Sequence, residues 1–219
     1  MEKSLNLKQV VVPVLGMHRS GTSMFTRALN LLGLELGNAL LPAADDNSLG
    51  FWEDIFFVAC NEELLRFFGG KSNGFDSASS LVEIAQKSTS VKYSVDCRNK
   101  INSYIKHTFK SLKWGWKDPR TVLLFPFWLK ILNDLGYKDF RPVIIVRNPL
   151  GSVRSLIKQG HLASLSTKVN LTEEQLALDV WRVYNQILYT ISCGMPCYIS
   201  FHEWLIDPDF ASGELERCA

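Results

Sequence analysis

Two basic segments of the sequence combine residue types that bind phosphate, and the first of them is GMHRSGTS at residues 16–23. Gly16 and Gly21 have the spacing of a phosphate-binding loop, and the segment lies between an apolar run and an amphipathic stretch. In such strand–loop–helix turns, the backbone amides and the helix N-terminus point toward a bound anion. Thr22 stands where kinases and ATPases have lysine, and the nearest cation is Arg19. The segment therefore predicts phosphate binding without the kinase lysine.

The second segment is Arg147-Asn148-Pro149, which directly follows the apolar run PVIIV and has Ser155 eight positions after the arginine. An arginine at the carboxyl end of a buried strand lies where open α/β sheets bind ligands. A guanidinium group and a hydroxyl about two helical turns further on suit a terminal phosphate monoester. Taken alone, the segment is equally consistent with a simple helix start, with Asn148 as the N-cap and Pro149 as the first helical residue.

The charge distribution indicates an anionic ligand. The net charge is only +2, but residues 3–34 and 140–172 contain no aspartate or glutamate, and both stretches carry several lysines and arginines. Two such stretches suit an anion held between them. The chain has no interleaved pattern of aromatic and basic residues, so we expect no nucleic-acid partner.

The cysteines and the hydropathy pattern indicate the cellular environment in which the protein is expected to work. The five cysteines form no CxxC pair, so the sequence predicts neither a disulfide framework nor a zinc site, and reduced thiols point to a cytoplasmic protein. There is no signal-peptide pattern and no apolar run long enough to span a membrane.

The elements that would position these segments alternate between strands and helices. Such alternation predicts an α/β fold, a P-loop NTPase-like three-layer sandwich whose central parallel sheet is flanked by helices, in a single domain over 1–219. Within one expected helix, Pro126 should kink or restart the chain. The end of the sequence reads as a polar segment without a clear stop signal, which leaves open a longer natural chain. The predicted strands cover 10–15, 114–117, 142–146 and 197–201, and the predicted helices cover 22–34, 54–68, two pieces of 80–112, a segment reaching about 135, and 172–191.

Together, GMHRSGTS and RNP-x5-S resemble the paired motifs of the sulfotransferases that use 3′-phosphoadenosine 5′-phosphosulfate (PAPS). GFWED at 50–54 and WGWKDPR at 114–120 resemble segments of a bacterial branch of that superfamily, and the resemblance covers roughly residues 10–208. It implies that Arg147 and Ser155 hold the 3′-phosphate, which distinguishes PAPS and its product PAP from ATP. The residues that it implies for the 5′-phosphosulfate are His18, Arg19, Ser20, Gly21, Thr22 and Ser23.

The resemblance also implies a reaction. A sulfuryl group would pass in line, without a metal, from PAPS to a hydroxyl or amine of a small-molecule or carbohydrate acceptor. Arg19 would stabilise the charge that develops on the leaving phosphate. Many members of the superfamily have lysine at that position, and arginine stabilises charge but does not readily donate a proton. Lys117 would line the sulfuryl site from a strand end, with Arg120 as a second candidate, and a surface salt bridge is the alternative for both.

The general base is assigned to Glu53. Beside Phe51 and Trp52, its carboxyl group would have a raised pKa, which is favourable for a base. The alternative is a first-turn glutamate that stabilises the following helix through its dipole. Asp54 is the second candidate, and His202 ranks below Glu53.

Two other functions compete with sulfuryl transfer. A P-loop kinase for a small molecule or nucleotide would need a lysine near position 22 and an aspartate that binds a metal, and neither is evident. A non-catalytic PAPS binder would keep the cofactor site without transfer. The sequence specifies neither the acceptor nor the oligomeric state.

Overall fold

The computed structural model describes residues 9–44, 47 and 49–217. It is built on short parallel strands, and the predicted strand at 10–15 is divided into two pieces. Pro13 has no backbone N–H to donate to a neighbouring strand, and the ladder is interrupted at that residue. The strands are β1 (Val10–Val11), β2 (Val14–Leu15), β3 (Lys113–Trp114), β4 (Asp139–Phe140), β5 (Val143–Val146) and β6 (Tyr198–Phe201).

All of these strands pair in parallel. β1 lies between β3 and β4, and β5 lies between β2 and β6. Backbone hydrogen bonds cross the interruption, because Val14 N donates to Trp116 O at 2.9 Å and Val143 N donates to Pro13 O at 3.0 Å. The two sheets therefore join along the central strand, and the prediction of parallel strands flanked by helices is confirmed.

Helices connect the strands, and several begin at side chains that cap their first turn. Asn148 Oδ1 accepts a hydrogen bond from Leu150 N, and Thr172 forms a capping box with Gln175, as the sequence predicted. The helices are α1 (Thr22–Leu31), α2 (Ile55–Phe67), α3 (Ala78–Ser90), α4 (Val95–Thr108), α5 (Thr121–Asp134), α6 (Pro149–Gln159), α7 (Ala163–Val169), α8 (Glu173–Gly194), α9 (His202–Ile206) and α10 (Pro208–Glu216).

Some helical boundaries differ from the prediction. α1 ends at Leu31 rather than at 34, because Gly33 adopts φ +96 just beyond its end. α5 continues through Pro126 without restarting. Its neighbours are almost all buried, and that packing outweighs the roughly 3 kcal/mol that an interior proline costs a helix. The polar segment near the end of the sequence, for which no element was predicted, forms α10 over Pro208–Glu216.

The main core surrounds α5, which packs against α2, α3 and α8. Trp114, Trp116 and Trp128 are fully buried there. This core supports the strands from one side, so the loops that leave β2 and β5 start from a rigid base. Within the described residues, no helix is both long enough and apolar enough to cross a membrane.

Candidate functional site

A cleft of about 620 Å³ opens where β2 and β5 end, and the loop after β2 forms one of its walls. The loop is tightly folded, because a Cβ atom at Gly16 would lie 2.6 Å from Thr22 Cγ2 and 2.8 Å from the carbonyl of Ile145. Gly21 has φ +89, which favours glycine, and α1 starts at the next residue. The loop and the helix N-terminus therefore face the cleft in the arrangement that binds anions. The loop residues that line the cleft are His18, Arg19, Gly21, Thr22 and Ser23.

Ser20, predicted to bind phosphate through its backbone amide, uses its side chain within the loop. Its side chain is buried, and its hydroxyl donates to the carbonyl of Met17 at 2.7 Å. The hydroxyl therefore closes the turn of the loop, and only the backbone of Ser20 remains as a ligand-binding group.

The two motifs meet through their arginines. Arg147 Nη1 donates to the backbone carbonyl of Arg19 at 2.8 Å, and Arg19 Nε donates to Ser155 Oγ at 3.0 Å. Trp181 Nε1 donates to the carbonyl of Arg147 at 3.0 Å, which ties the end of β5 to α8. Both arginines line the cleft, whereas Ser155 lies behind Arg19, outside the described lining. The structure thus brings Arg19, Arg147 and Ser155 together.

Lys117 and Glu53 form a buried ion pair beside this loop. Lys117 Nζ lies 2.5 Å from Glu53 Oε1 and 3.1 Å from Ser23 Oγ, and it also donates to the carbonyl of Phe51 at 3.0 Å. The side chains of Lys117 and Glu53 are only 3% and 7% exposed. The alternative of a surface salt bridge is therefore wrong, because the pair is enclosed and lines the cleft.

Arg120 engages the other oxygen of Glu53. Its Nη2 lies 3.3 Å from Glu53 Oε2, its Nη1 lies 3.0 Å from Glu62 Oε1, and its Nε lies 2.8 Å from Asp118 Oδ1. Asp118 is fully buried and also accepts a hydrogen bond from Asn61 at 2.8 Å. Both oxygens of Glu53 are thus held in fixed positions by cations.

Burial raises the pKa of the Glu53 carboxyl group, and the nearby Asp118 raises it further. Lys117 and Arg120 act in the opposite direction because they stabilise the carboxylate. A raised pKa favours proton acceptance, and the two cations fix the direction in which the carboxylate points.

Asp54, the second candidate for the base, has a structural role. Its Oδ1 accepts from Phe56 N at 3.0 Å as the N-cap of α2, and its Oδ2 accepts from the Tyr104 hydroxyl at 2.5 Å. Asp54 does not belong to the described lining of the cleft. These contacts assign Asp54 to helix capping and leave Glu53 as the carboxylate that faces the site.

Burial lowers the pKa of two histidines of the cleft lining, His18 and His202. Burial, followed by the charges of Arg120 and Lys117, holds the pKa of His18 well below its ordinary value. Its ring packs against Phe75 with the centroids 4.4 Å apart. Burial and then Arg147 also lower the pKa of His202.

His202 lies closer to the loop than its low rank in the sequence suggested. It follows β6 as the first residue of α9, and its Nδ1 has no hydrogen-bond partner among the described residues. A Cβ atom at Gly21 would lie 2.4 Å from this nitrogen, so the imidazole packs directly on the glycine. His107 is exposed on α4, and its Nδ1 donates to the Ser103 carbonyl at 2.7 Å, outside the described cleft lining.

The sequence did not single out Arg27 or Asn47, which also line the cleft. Arg27 lies one helical turn after Ser23 on α1, and that i, i+4 spacing is the signal that could have identified it. Asn47 Nδ2 donates to the carbonyl of Gly50 at 2.8 Å and lies 3.5 Å from Ser23 Oγ. These residues form the part of the wall next to the start of α1. Among the described residues, no group of three histidine, cysteine, aspartate or glutamate side chains could hold a metal ion.

Comparison with known proteins identifies the fold. No protein-family model and no curated protein sequence matches the chain. A solved structure, the sulfotransferase domain from the curacin biosynthetic pathway, matches 96% of this chain and 72% of its own chain, with a TM-score of 0.52 and 13% sequence identity. At this identity the likeness concerns the fold alone. The chain therefore has the α/β fold of a sulfotransferase domain.

Proposed function

We propose that this protein transfers a sulfuryl group from PAPS to an acceptor hydroxyl or amine, within a P-loop NTPase-like three-layer architecture. The observation that carries the proposal is the meeting of two distant motifs: Arg147 donates to the carbonyl of Arg19, and Arg19 donates to Ser155. A ligand with phosphates at two positions of one nucleotide needs two such anion-binding segments in one cleft. The sulfotransferase fold supports the same function.

The residues of the cleft fit this ligand. The loop between Gly16 and Thr22 is compact enough for its backbone amides to converge, and the N-terminus of α1 follows it. Thr22 and Ser23 add hydroxyl groups at the point where the 5′-phosphate would lie. At the other end, Arg147 lines the cleft with a guanidinium fork suited to the 3′-phosphate, and Ser155 supports it through Arg19. When bound, PAPS supplies a sulfuryl group attached to a phosphate leaving group.

The cations of the site stabilise negative charge. Arg19 and Lys117 both line the cleft next to the start of α1, and Lys117 is anchored by Ser23 and Glu53. Fixed positive groups in an enclosed site stabilise developing charge more strongly than they would in water. Arg19 and Lys117 would therefore serve the leaving phosphate and the sulfuryl oxygens without requiring a metal.

Glu53 would accept the proton of the acceptor. Its carboxylate faces the cleft, its pKa is raised by burial, and its orientation is fixed by Lys117 and Arg120. A base must lie within hydrogen-bond reach of the proton that it removes. An acceptor hydroxyl or amine that binds Glu53 must therefore replace part of the contact between Glu53 and Lys117. Removal of the proton is thereby coupled to the sulfuryl site, which Lys117 lines.

The kinase alternative has one feature in its favour, a lysine near the loop, because Lys117 lies 3.1 Å from Ser23 Oγ. That lysine comes from the segment after β3, whereas a kinase lysine belongs to the phosphate-binding loop itself and reaches the β- and γ-phosphates from there. The two functions differ in the ligand that should stabilise the protein.

The test compares ligands by thermal unfolding. PAP at about 100 times its dissociation constant should stabilise the protein by about 2.7 kcal/mol, whereas ATP with Mg²⁺ should have little effect. Slow PAPS hydrolysis should be lost in Arg19→Ala and kept in Arg154→Ala, which changes an exposed arginine on α6. Stabilisation by ATP with Mg²⁺ and none by PAP would refute the proposal and favour a kinase.

A further inference from the structure

Beyond the phosphate-binding loop, the cleft continues along one face of α1. Ser23, Met24 and Arg27 line it there, together with residues 47 and 49–52. Ser23 contacts Lys117, so this end of α1 begins beside the proposed sulfuryl site. The second turn of the helix, with Arg27, then faces the space that remains for the acceptor.

Arg27 is held as a fixed cation in that space. Its guanidinium group stacks over the ring of Trp52, 4.5 Å from the centroid, and its Nη1 donates to Asn30 Oδ1 at 3.1 Å. Trp52 is itself fixed, with φ 58 and with Nε1 donating to the carbonyl of Leu49 at 3.0 Å. Stacking occupies the face of a guanidinium group and leaves the donors along its edge for a ligand.

No carboxylate of the described residues forms an ion pair with Arg27. Lys117 and Arg120, which also line the cleft, differ in this respect, since Lys117 pairs with Glu53 and Arg120 pairs with three carboxylates. A fixed arginine fork with in-plane donors matches the two oxygens of a carboxylate. The charge of Arg27 is therefore complementary to an anionic group on the acceptor.

The walls around Arg27 are apolar. Met24 and Leu49 are 42% and 84% exposed although both line the cleft, and Leu41 and Phe51 lie beside them. Exposed apolar side chains at the mouth of a cleft gain free energy when a ligand covers them. A neutral sugar would cover them poorly and would leave the donors of Arg27 without a partner.

We propose that the acceptor is a hydroxylated carboxylic acid with an apolar body, whose carboxylate binds Arg27 while its hydroxyl lies beside Lys117 and Glu53. This inference rests on the proposed sulfuryl transfer. Side chains one helical turn apart are separated by about 6 Å, so the hydroxyl and the carboxylate should be separated by a comparable distance. A hydroxyaryl or ω-hydroxyalkyl acid meets this requirement.

The test uses matched acids and amides. Binding of 3-(3-hydroxyphenyl)propanoic acid and 6-hydroxyhexanoic acid, and of their primary amides, is measured by calorimetry with the PAP-bound protein and with the free protein. In the wild type, at least one acid should bind 10-fold or more tightly than its amide. In Arg27→Met, which keeps the length of the side chain but removes the charge, this ratio should fall to within 2-fold.

The control variant is Arg66→Met, which removes an exposed arginine on α2 and should keep the wild-type ratio. Equal binding of acid and amide in both pairs, no binding of any of the four compounds, or an unchanged ratio in Arg27→Met would each overturn the inference. Failure of PAP to bind, or PAPS hydrolysis independent of Arg19, would instead contradict the proposed function. The titrations of the free protein measure the preference for an acid over its amide, whether or not PAP binds.

Discussion

Arg147 Nη1 donates a 2.8 Å hydrogen bond to the backbone carbonyl of Arg19, a residue 128 positions earlier in the chain. Arg19 has φ 64, and the left-handed region costs a non-glycine residue about 1–3 kcal/mol. The contact with Arg147 is therefore one of those that maintain the shape of the loop. A change at Arg147 should affect the loop as well as the phosphate that this arginine is proposed to bind.

Arg147→Ala should weaken PAP binding by about 10- to 100-fold, because each hydrogen bond to a charged group contributes about 1.5–3 kcal/mol. The melting temperature without ligand should change by only a few degrees, since Arg147 is half-buried and lies outside the core. Calorimetric titration with PAP measures the first effect and thermal unfolding the second. Arg154→Ala, which alters an exposed arginine of the following helix α6, should bind PAP normally. Unchanged PAP affinity in Arg147→Ala would contradict its assignment to the 3′-phosphate.

Glu53→Gln should lower PAPS turnover by about 10²- to 10⁴-fold, the usual contribution of a general base, with less than a 2-fold change in PAP affinity. The wild-type rate should decrease as the pH falls through the raised pKa of Glu53, because only the carboxylate accepts a proton. Glu62→Gln is the control, since Glu62 also pairs with Arg120 but does not belong to the described cleft lining. A Glu53→Gln protein with the wild-type rate would exclude Glu53 as the base.

Gly21→Ala should be more harmful than Gly33→Ala, although φ is positive at both residues, at +89 and +96. The strain of a left-handed alanine should cost each variant about 1–2 kcal/mol. At Gly21 the new Cβ atom also meets the His202 ring, whereas at Gly33 nothing lies within 4 Å. Overpacking of this kind adds about 1–3 kcal/mol.

Urea unfolding and PAP titration of both glycine variants measure the difference. Gly33→Ala should keep its PAP affinity, and Gly21→Ala should lose most of it. The double variant Gly21→Ala/His202→Ala should recover part of the stability, because the clash is gone and the backbone strain remains. Equal losses of stability and of PAP affinity in the two single variants would show that the contact between Gly21 and His202 influences neither property.

His18 should make the protein less stable in mild acid. The pKa of its imidazole is well below 6.5 in the folded protein because of burial and the nearby arginines and lysine, whereas the unfolded chain keeps a value near 6.5. Well above pH 6.5, His18 is neutral in both the folded and the unfolded protein, so its full contribution to the free energy of unfolding is present. As the pH falls further, only the unfolded chain takes up the proton, and the free energy of unfolding decreases by up to about 1.4 kcal/mol per pH unit.

Urea unfolding at pH 7.5 and pH 5.5 tests this dependence. His18→Gln should lose less stability between the two pH values than the wild type, and His107→Gln, with its change on the exposed face of α4, should lose as much as the wild type. A His18→Gln protein with the full wild-type loss would show that the proton uptake occurs elsewhere.

Local patterns predicted the framework of the fold. The apolar runs at 10–15 and 142–146, the helix start at Asn148-Pro149 and the capping box at Thr172 all depend on neighbouring residues, and they are confirmed. The division of the first strand at Pro13 and the short helix α9 were not predicted. The division follows from the missing N–H of Pro13 within an otherwise apolar run. The position of α9 depends on which groups approach from distant parts of the chain, and a single sequence does not specify those partners.

The candidate site was predictable to a similar degree. The residue types of Arg19 and Arg147 indicated anion binding, and the structure brings them together. The engagement of both Glu53 oxygens by Lys117 and Arg120 was not predictable, because it requires the segments after β3 and before α2 to approach each other. The same holds for Ser20, whose hydroxyl contacts its own loop rather than the cleft.

The packing of His202 on Gly21 also constrains the order in which the molecule is assembled. The loop is synthesised near the beginning of the chain, but the ring that rests on it belongs to a helix near the other end. Contacts between distant segments form late, because the entropy of closing long loops is lost before such contacts stabilise the structure. We therefore expect that nascent or refolding chains gain affinity for their nucleotide only after β6 and α9 have docked.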